Sequence, residues 1–360
     1  MKHRSRVVGS LAVWLALSGL AQAVAPEAPP AAIASTKAAH SLLLDIAAAG
    51  QRLVAVGERG HIVWSDDEGK SWQQAQVPTR TLLTAVQFAD AKRGWAVGHD
   101  STILHTADGG ATWSLQHHAV FDQAAVDAEL DAQLAAEDDA GLDEAALDEG
   151  EGKRMSSPAQ RIGAPLMDVW ISADGRRGLA VGAYGLLLST DDGGKTWTDR
   201  SDALANGDGW HLNAVASVPS APSSLLVVGE KGIAFRSGDS GQSFSRVQTP
   251  AESSLFGVVG AGDSAYAFGL QGRLYHVAGG WQGIGSGVTF GLNDAAVLAD
   301  RSVVVVGNAG VVVTVTPAGK ASVVRRADRQ AILSVAPVRD GLVLVGEGGA
   351  KRARIDGSAP

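Results

Sequence analysis

Short apolar runs alternate with glycine-centred breaks along most of the chain, without a sustained helical stripe. An apolar run, a Gly-x-x-Gly and a second apolar run recur as LVAVGERG (Gly57, Gly60), GLAVGAYG (Gly182, Gly185) and LLVVGEKG (Gly229, Gly232). The pattern continues as AYAFGLQG (Gly269, Gly272), VVVVGNAG (Gly307, Gly310) and LVLVGEGG (Gly346, Gly349), while GWAVGHDS keeps Gly98 and has Ser101 at the second glycine. The first glycines lie 41, 84, 47, 40, 38 and 39 residues apart. Only one motif occupies the 84-residue interval, so that unit carries an insertion. Seven units near forty residues predict a radial or stacked array. In the first unit LLLDIAAAG, QRLVAVGE, GHIVWSDD and SWQQAQV read as four short strands bounded by glycine and acidic turns. Four strands in each of seven units predict an all-β seven-bladed β-propeller over 41–356. A solenoid is the alternative, but leucine-rich and helical repeats lack these turns. Runs such as VVVV and LVAV, apolar at every position, are expected to be buried on both faces between blades.

A second element recurs in register with the first. TADGGATW (residues 106–113) and TDDGGKTW (190–197) fit Ser/Thr-x-Asp-x-Gly-x-Thr-Trp; SDDEGKSW (65–72) and SGDSGQSF (237–244) fit with Ser71, Ser243 and Phe244 substituted. These are similar to the Asp-box, the bacterial neuraminidase repeat. Its physics is structural. Gly69, Gly110, Gly194 and Gly241 supply a positive φ without a Cβ clash. Asp67, Asp108, Asp192 and Asp239 are expected to accept backbone N–H bonds inside the turn. Trp72, Trp113, Trp197 and Phe244 are expected to bury a ring between blades. The boxes sit on four different blades, which argues against a shared catalytic or metal role for the aspartates. In the last three units VAGGW, TPAGKAS and RIDGS stand in place of the box.

Composition narrows the function. Glycine makes up 45 of 360 residues without a Gly-X-Y period, which excludes collagen and fits many tight turns. The absence of cysteine excludes a disulfide scaffold, a zinc–thiolate site and a cysteine nucleophile. A net charge of −8 without a basic stripe argues against nucleic-acid binding. Lys2, Arg4 and Arg6, the apolar run VVGSLAVWLALSGL and Ala21-Gln22-Ala23 read as a signal peptide over 1–23, cleaved after Ala23, with a periplasmic destination. No later stretch is apolar enough to span a bilayer. Residues 24–40 are expected to add the fourth strand of the last blade and close the ring.

The insertion, 118–160, is acidic: residues 119–154 hold twelve acids and two bases. Without the leader's bases the chain carries −11, of which −10 lies here, so the propeller itself is near −1. Val126, Leu130 and Leu134 at four-residue steps predict an amphipathic helix in its first half; the second half is expected to be mobile. The insertion is either a docking arm for a basic or partly apolar partner or a solvated excursion. It has no EF-hand calcium pattern. The Gly-x-x-Gly turns connect second to third strands and share a face with the insertion and with the links between blades. That face carries Glu58, Arg59, His99, Asp100, Tyr184, Glu230, Lys231, Gln271, Asn308 and Glu347, with Arg325, Arg326 and Arg329 in the last inter-blade link. Loops on a rigid scaffold are where binding usually resides, so Arg59, His99, Tyr184, Lys231, Arg325, Arg326 and Arg329 are the candidate partner-binding residues.

The repeat LAVGxxGxxxxSxDGGxTW, seen at residues 179–197, resembles the photosystem II stability and assembly factor family, over about residues 40–355 apart from the insertion. The resemblance implies a seven-bladed propeller without catalytic residues, cofactor or metal, which binds membrane-protein subunits or their assembly intermediates. The resemblance also implies an arginine patch on the propeller surface, with Arg325, Arg326 and Arg329 as its expected counterparts here. The expected partner is a membrane or envelope protein complex, and the chain is expected to be monomeric. The competing class is an Asp-box glycoside hydrolase of sialidase type, in which Tyr184 would be the nucleophile and Glu230 its base; a carboxylate pair of Asp100 with Glu347 or Glu58 is the other arrangement. The sialidase signature of arginine, isoleucine and proline near the first blade is missing.

Overall fold

The computed structural model describes residues 30–119, 123–140 and 158–360. Among them are six four-stranded antiparallel sheets and one three-stranded sheet, each built from consecutive strands. Neighbouring sheets touch through their first strands, and the seventh touches the first, so the ring is closed. The blades span 43–74, 83–117, 166–199, 212–247, 255–283, 292–325 and 332–353. The architecture is a seven-bladed β-propeller.

The apolar second strands explain the core. Arg52–Gly57, Gly178–Gly182 and Val303–Gly307 are buried almost throughout because each lies within a sheet sandwiched between two others. Seven separate apolar cores result, one per blade junction. Val54, Ile62, Leu83, Ala96 and Trp113 fill the first junction, and Leu43, Ala55, Val63, Val343 and Val345 fill the last.

The first strands surround a central channel of about 360 Å³ lined by Leu44, Thr84, Met167, Asn213, Phe256 and Asn293 among others. Three aspartates at equivalent positions reach sideways from this wall. Asp45 Oδ2 accepts the Val86 N–H at 2.8 Å, Asp168 Oδ2 the Val215 N–H at 2.9 Å, and Asp294 Oδ2 the Val335 N–H at 3.1 Å, so each ties its blade to the next. The Ser334 hydroxyl lies 2.8 Å from Asp45 Oδ1 and 2.6 Å from Asp294 Oδ2 and links the seventh blade to both neighbours.

One expectation is corrected. Residues 30–40 do not form the fourth strand of the seventh blade, which stops at three strands. They run instead along the outer edge of the first blade, where the Ala32 N–H donates to Val77 O (2.9 Å) and the Ser35 N–H to Gln74 Oε1 (2.7 Å). A single 3-10 turn, Ala38–His40, then leads into the first strand, and the Ala350 N–H donates to Ala39 O. Closure comes from face-to-face packing of the first and seventh blades. Residues 1–29 lie outside the described residues. The insertion holds a helix, Gln123–Ala140, as its first half suggested, and a short one, Pro158–Arg161. Leu130 and Leu134 are not among the described side chains, and the second half of the insertion, 141–157, is outside the described residues.

Candidate functional site

The Gly-x-x-Gly motif is a device for bringing backbone against backbone. The residue after the first glycine donates its N–H to the carbonyl that precedes the first strand of the same blade. The pairs are Glu58 to Leu42, His99 to Leu82, Ala183 to Pro165, Glu230 to His211, Leu270 to Ser254, Asn308 to Gly291 and Glu347 to Ala331. A Cβ on Gly57 would collide with the Leu42 oxygen, and one on Gly60, at φ 69°, with the Thr79 oxygen. The residue between them takes the left-handed conformation: Arg59 (φ 56°), Tyr184 (55°), Lys231 (50°), Gln271 (59°) and Ala309 (57°). Five of the blades thus present one strained, fixed side chain per turn, and the second presents two, Asp100 and Ser101.

The glutamates of these turns are committed to the scaffold. Glu58 accepts the Leu42 N–H, Glu230 the His211 N–H and Glu347 the Ala331 N–H, at 3.0–3.3 Å, and Asp100 accepts the Thr81 hydroxyl at 3.3 Å. Tyr184 lies edge-on to His211 with centroids 5.2 Å apart, and no hydrogen bond joins its hydroxyl to Glu230 among the described residues. A tyrosine nucleophile and its base would need that contact. Tyr266 and Tyr275, the other two tyrosines, are buried.

The cations fall into groups the sequence did not foresee. Lys231 Nζ sits 3.8 Å above the Trp210 ring, so Tyr184, His211, Trp210 and Lys231 form one cluster at the junction of blades 3 and 4. Arg325 lies 4.7 Å over the Phe290 ring and donates to Ala309 O. Trp210, His211 and Phe290 were not singled out from sequence; their signal was an aromatic just before the first strand, next to a cationic turn. Arg326 differs from Arg325. Its side chain is one-tenth exposed, pairs with Asp328 (3.6 Å) and donates to Gly357 O, so it braces the sixth and seventh blades. Arg59, His99 and Arg329 are exposed, each apart from these clusters. Arg59, Lys231, Arg325 and Arg329 have no carboxylate within 4 Å among the described residues.

The Asp-box turns connect third and fourth strands, on the opposite face. Asp67 Oδ1 accepts the Ser65 hydroxyl and the Lys70 and Ser71 N–H groups, and Oδ2 accepts the Ser71 hydroxyl at 2.6 Å. Asp108, Asp192 and Asp239 repeat the pattern with Thr112, Thr196 and Ser243. Bonds from the residue four positions on hold Asp192 and Asp239 down to about 2, and Asp67 further below the usual carboxylate range. Carboxylates bonded in this way brace their turns. Gly69, Gly110, Gly194 and Gly241 all have φ between 79° and 87°. Trp113 is buried and donates its indole N–H to Gly110 O; Trp72, Trp197 and Phe244 pack half-buried at other junctions. Among the described residues no group of three or more His, Asp or Glu is placed to hold a metal.

Fold and face together define a class: a rigid propeller of Asp-box type that presents cations and aromatics, with its carboxylates turned to structure. The family model for the photosystem II assembly factor Ycf48 matches residues 65–138 and 155–275, more than half of the chain. The chain belongs to the Ycf48 family of photosystem II assembly factors. Curated relatives match over short stretches: Ycf48 of Thermosynechococcus vestitus is 40% identical over 42 residues, 12% of each chain. The chloroplastic stability and assembly factor HCF136 of Cyanidioschyzon merolae is 40% identical over 47 residues, 12% of this chain and 11% of that one. The matched stretches thus span about an eighth of those relatives. Among solved structures, a YCF48 bound to a D1 peptide superposes with a TM-score of 0.60 at 16% identity, covering 90% of this chain and 97% of that one. YCF48 from Cyanidioschyzon merolae gives 0.59 at 14% over 86% and 94%. The propeller domain of Doa1 scores 0.59 at 11% identity, over 90% and 95%, so these likenesses describe the fold.

Proposed function

We propose that this chain is an exported, non-catalytic binding propeller of the periplasm that assists assembly or stability of a membrane or envelope protein complex through its Gly-x-x-Gly face. The observation that carries the reading is the set of unneutralised cations on that face, with Lys231 and Arg325 braced by aromatic rings, in a chain of net charge −8. Cation–aromatic pairs of this kind suit an extended partner segment with acidic and apolar residues. Family membership supports the assembly role, and the D1 peptide bound by the solved Ycf48 neighbour supports a membrane-protein segment as the ligand class. The basic leader, apolar run and Ala-Gln-Ala support export. No described helix is long and apolar enough to cross a membrane.

The test is capture from detergent-solubilised envelope membranes by wild-type protein and by Lys231→Glu/Arg325→Glu, with circular dichroism as the control for fold. Wild type should enrich a membrane subunit that the double variant loses at least about tenfold, as expected for hot-spot charges. Undiminished capture by the folded double variant would refute the assignment of this face.

A further inference from the structure

On the opposite face, each intact Asp-box seats on the preceding blade. In three of the four boxes the glycine packs on the residue three before the first glycine of that blade's Gly-x-x-Gly, Gly69 on Val343, Gly110 on Val54 and Gly241 on Leu179, whereas Gly194 lies against the Gln116 side chain of the preceding blade. At the seventh blade the residue paired across the sheet from the seat is charged and meets the incoming turn. Arg352, opposite Val343, places Nη2 3.9 Å from Glu68 Oε2 in the box of the first blade. In the first blade a different arginine does this: Arg52, two residues before the seat Val54 on the same strand, donates to Gly109 O of the second blade's box.

Blade 4 has the same seat, Leu226 with Arg236 opposite, in the register of Val343 with Arg352. Its occupant is missing. In blade 5 only Ala278, Gly279 and Gly280 join Val277 to Trp281, closed by the Ala278 N–H on Gly280 O, where an intact box has six residues. The shortened turn leaves a cavity of about 210 Å³ between the two blades, walled by Leu226, Val247, Ala265, Val277 and Trp281, with Arg236 and Asp263 as its charges. The exposed Arg236 guanidinium has no ion-pair partner within 4 Å among the described residues. The seat of blade 5 carries Tyr266 stacked on His276, so a large ring already occupies the corresponding space there.

We propose that the cavity between blades 4 and 5 is a docking seat for an acidic, glycine-containing turn of a partner polypeptide, which replaces the box that blade 5 lacks. The glycine rests on Leu226 and an acidic side chain before it meets Arg236; a basic residue after the glycine matches Asp263. A Glu-Gly-Lys turn such as residues 68–70 has that order of charges. The site lies on the other face from the cation–aromatic clusters and is independent of them.

The probe is a fluorophore-labelled peptide with the sequence of residues 65–72, SDDEGKSW, titrated against the full chain by fluorescence anisotropy. Saturable binding is expected, weakened at least about tenfold by Arg236→Glu. A graft that replaces residues 278–280 with the six residues 66–71 should fill its own seat, abolish peptide binding and raise the melting temperature. No saturable binding at millimolar peptide, or binding unchanged in Arg236→Glu, would overturn the proposal. If the graft fails to fold, Arg236→Glu, an exposed substitution, decides alone.

Discussion

The channel aspartates make a prediction about pH that runs against the usual behaviour of carboxylates. Asp168 gives both oxygens to backbone N–H groups, Val169 and Val215, at 2.8 and 2.9 Å, and the channel lining around it contains no lysine, arginine or histidine. Burial pushes its carboxyl up to about 8 despite those bonds, with the negative charges of Asp45 and Asp294 adding in the same direction. Asp45 and Asp294 are likewise raised by burial, and geometry agrees: one Ser334 hydroxyl hydrogen lies between two carboxylate oxygens, so a second proton is needed to satisfy both short contacts. A carboxyl whose folded pKa exceeds its unfolded value of 3.8 binds more protons in the native state. Its contribution is therefore present at low pH and is lost as pH rises towards 8, with a ceiling of about 1.4 kcal/mol per pH unit.

Histidines oppose this in part of the window. His61, His105 and His117 are held below their ordinary value by burial, so they add stability as pH rises through the range below 6.5. The clean readout is the difference between wild type and Asp168→Asn, in which the histidines cancel. Urea unfolding at steps between about pH 5 and pH 8 should show the advantage of wild type shrinking by up to ~1.4 kcal/mol per unit. Above pH 7, where the histidines are silent, wild type alone should lose stability. A difference that stays level, or grows with pH, would refute the claim that a neutral carboxyl pins these blades.

Three other perturbations separate roles within the scaffold. Asp192→Ala removes the acceptor of the Thr190 and Thr196 bonds and should lower the midpoint of chemical denaturation, leaving partner capture by still-folded protein unchanged. Gly60→Ala forces a Cβ onto the Thr79 oxygen at φ 69° and should cost more than about 2 kcal/mol, whereas Gly280→Ala, with nothing within 4 Å of its Cβ, should be nearly neutral; equal melting temperatures would contradict the close-approach account. Arg326→Ala should lower the melting temperature through lost contacts to Asp328 and Gly357, while Arg325→Ala should leave it unchanged and weaken capture, and the reverse pattern would exchange the two roles.

What the sequence could show followed from how local each feature is. The Gly-x-x-Gly turn and the Asp-box are closed by bonds among residues a few positions apart or within one blade, so their spacing alone predicted seven blades and which face each turn occupies. Features that join one blade to another carried no such spacing. Leu-x-Asp at the start of three first strands, at Asp45, Asp168 and Asp294, was visible as text, yet its meaning lies in an N–H some forty residues away on the next blade. Arg325 and Arg326 are adjacent and identical in composition, and only the turn at Gly357 and the ring at Phe290 divide them into a brace and a candidate binder. Residues 30–40 show the same limit. An apolar stretch before the first strand satisfies the expectation of a closing strand equally well whichever blade edge it follows. The edge is chosen by Val77 and Gln74, which offer bonding partners on the first blade. Closure of the ring is then left to the packing of Leu43, Ala55 and Val63 against Val343 and Val345. Local bonding therefore sets the number of the blades, while long-range pairing decides which charged side chains remain free to meet a partner.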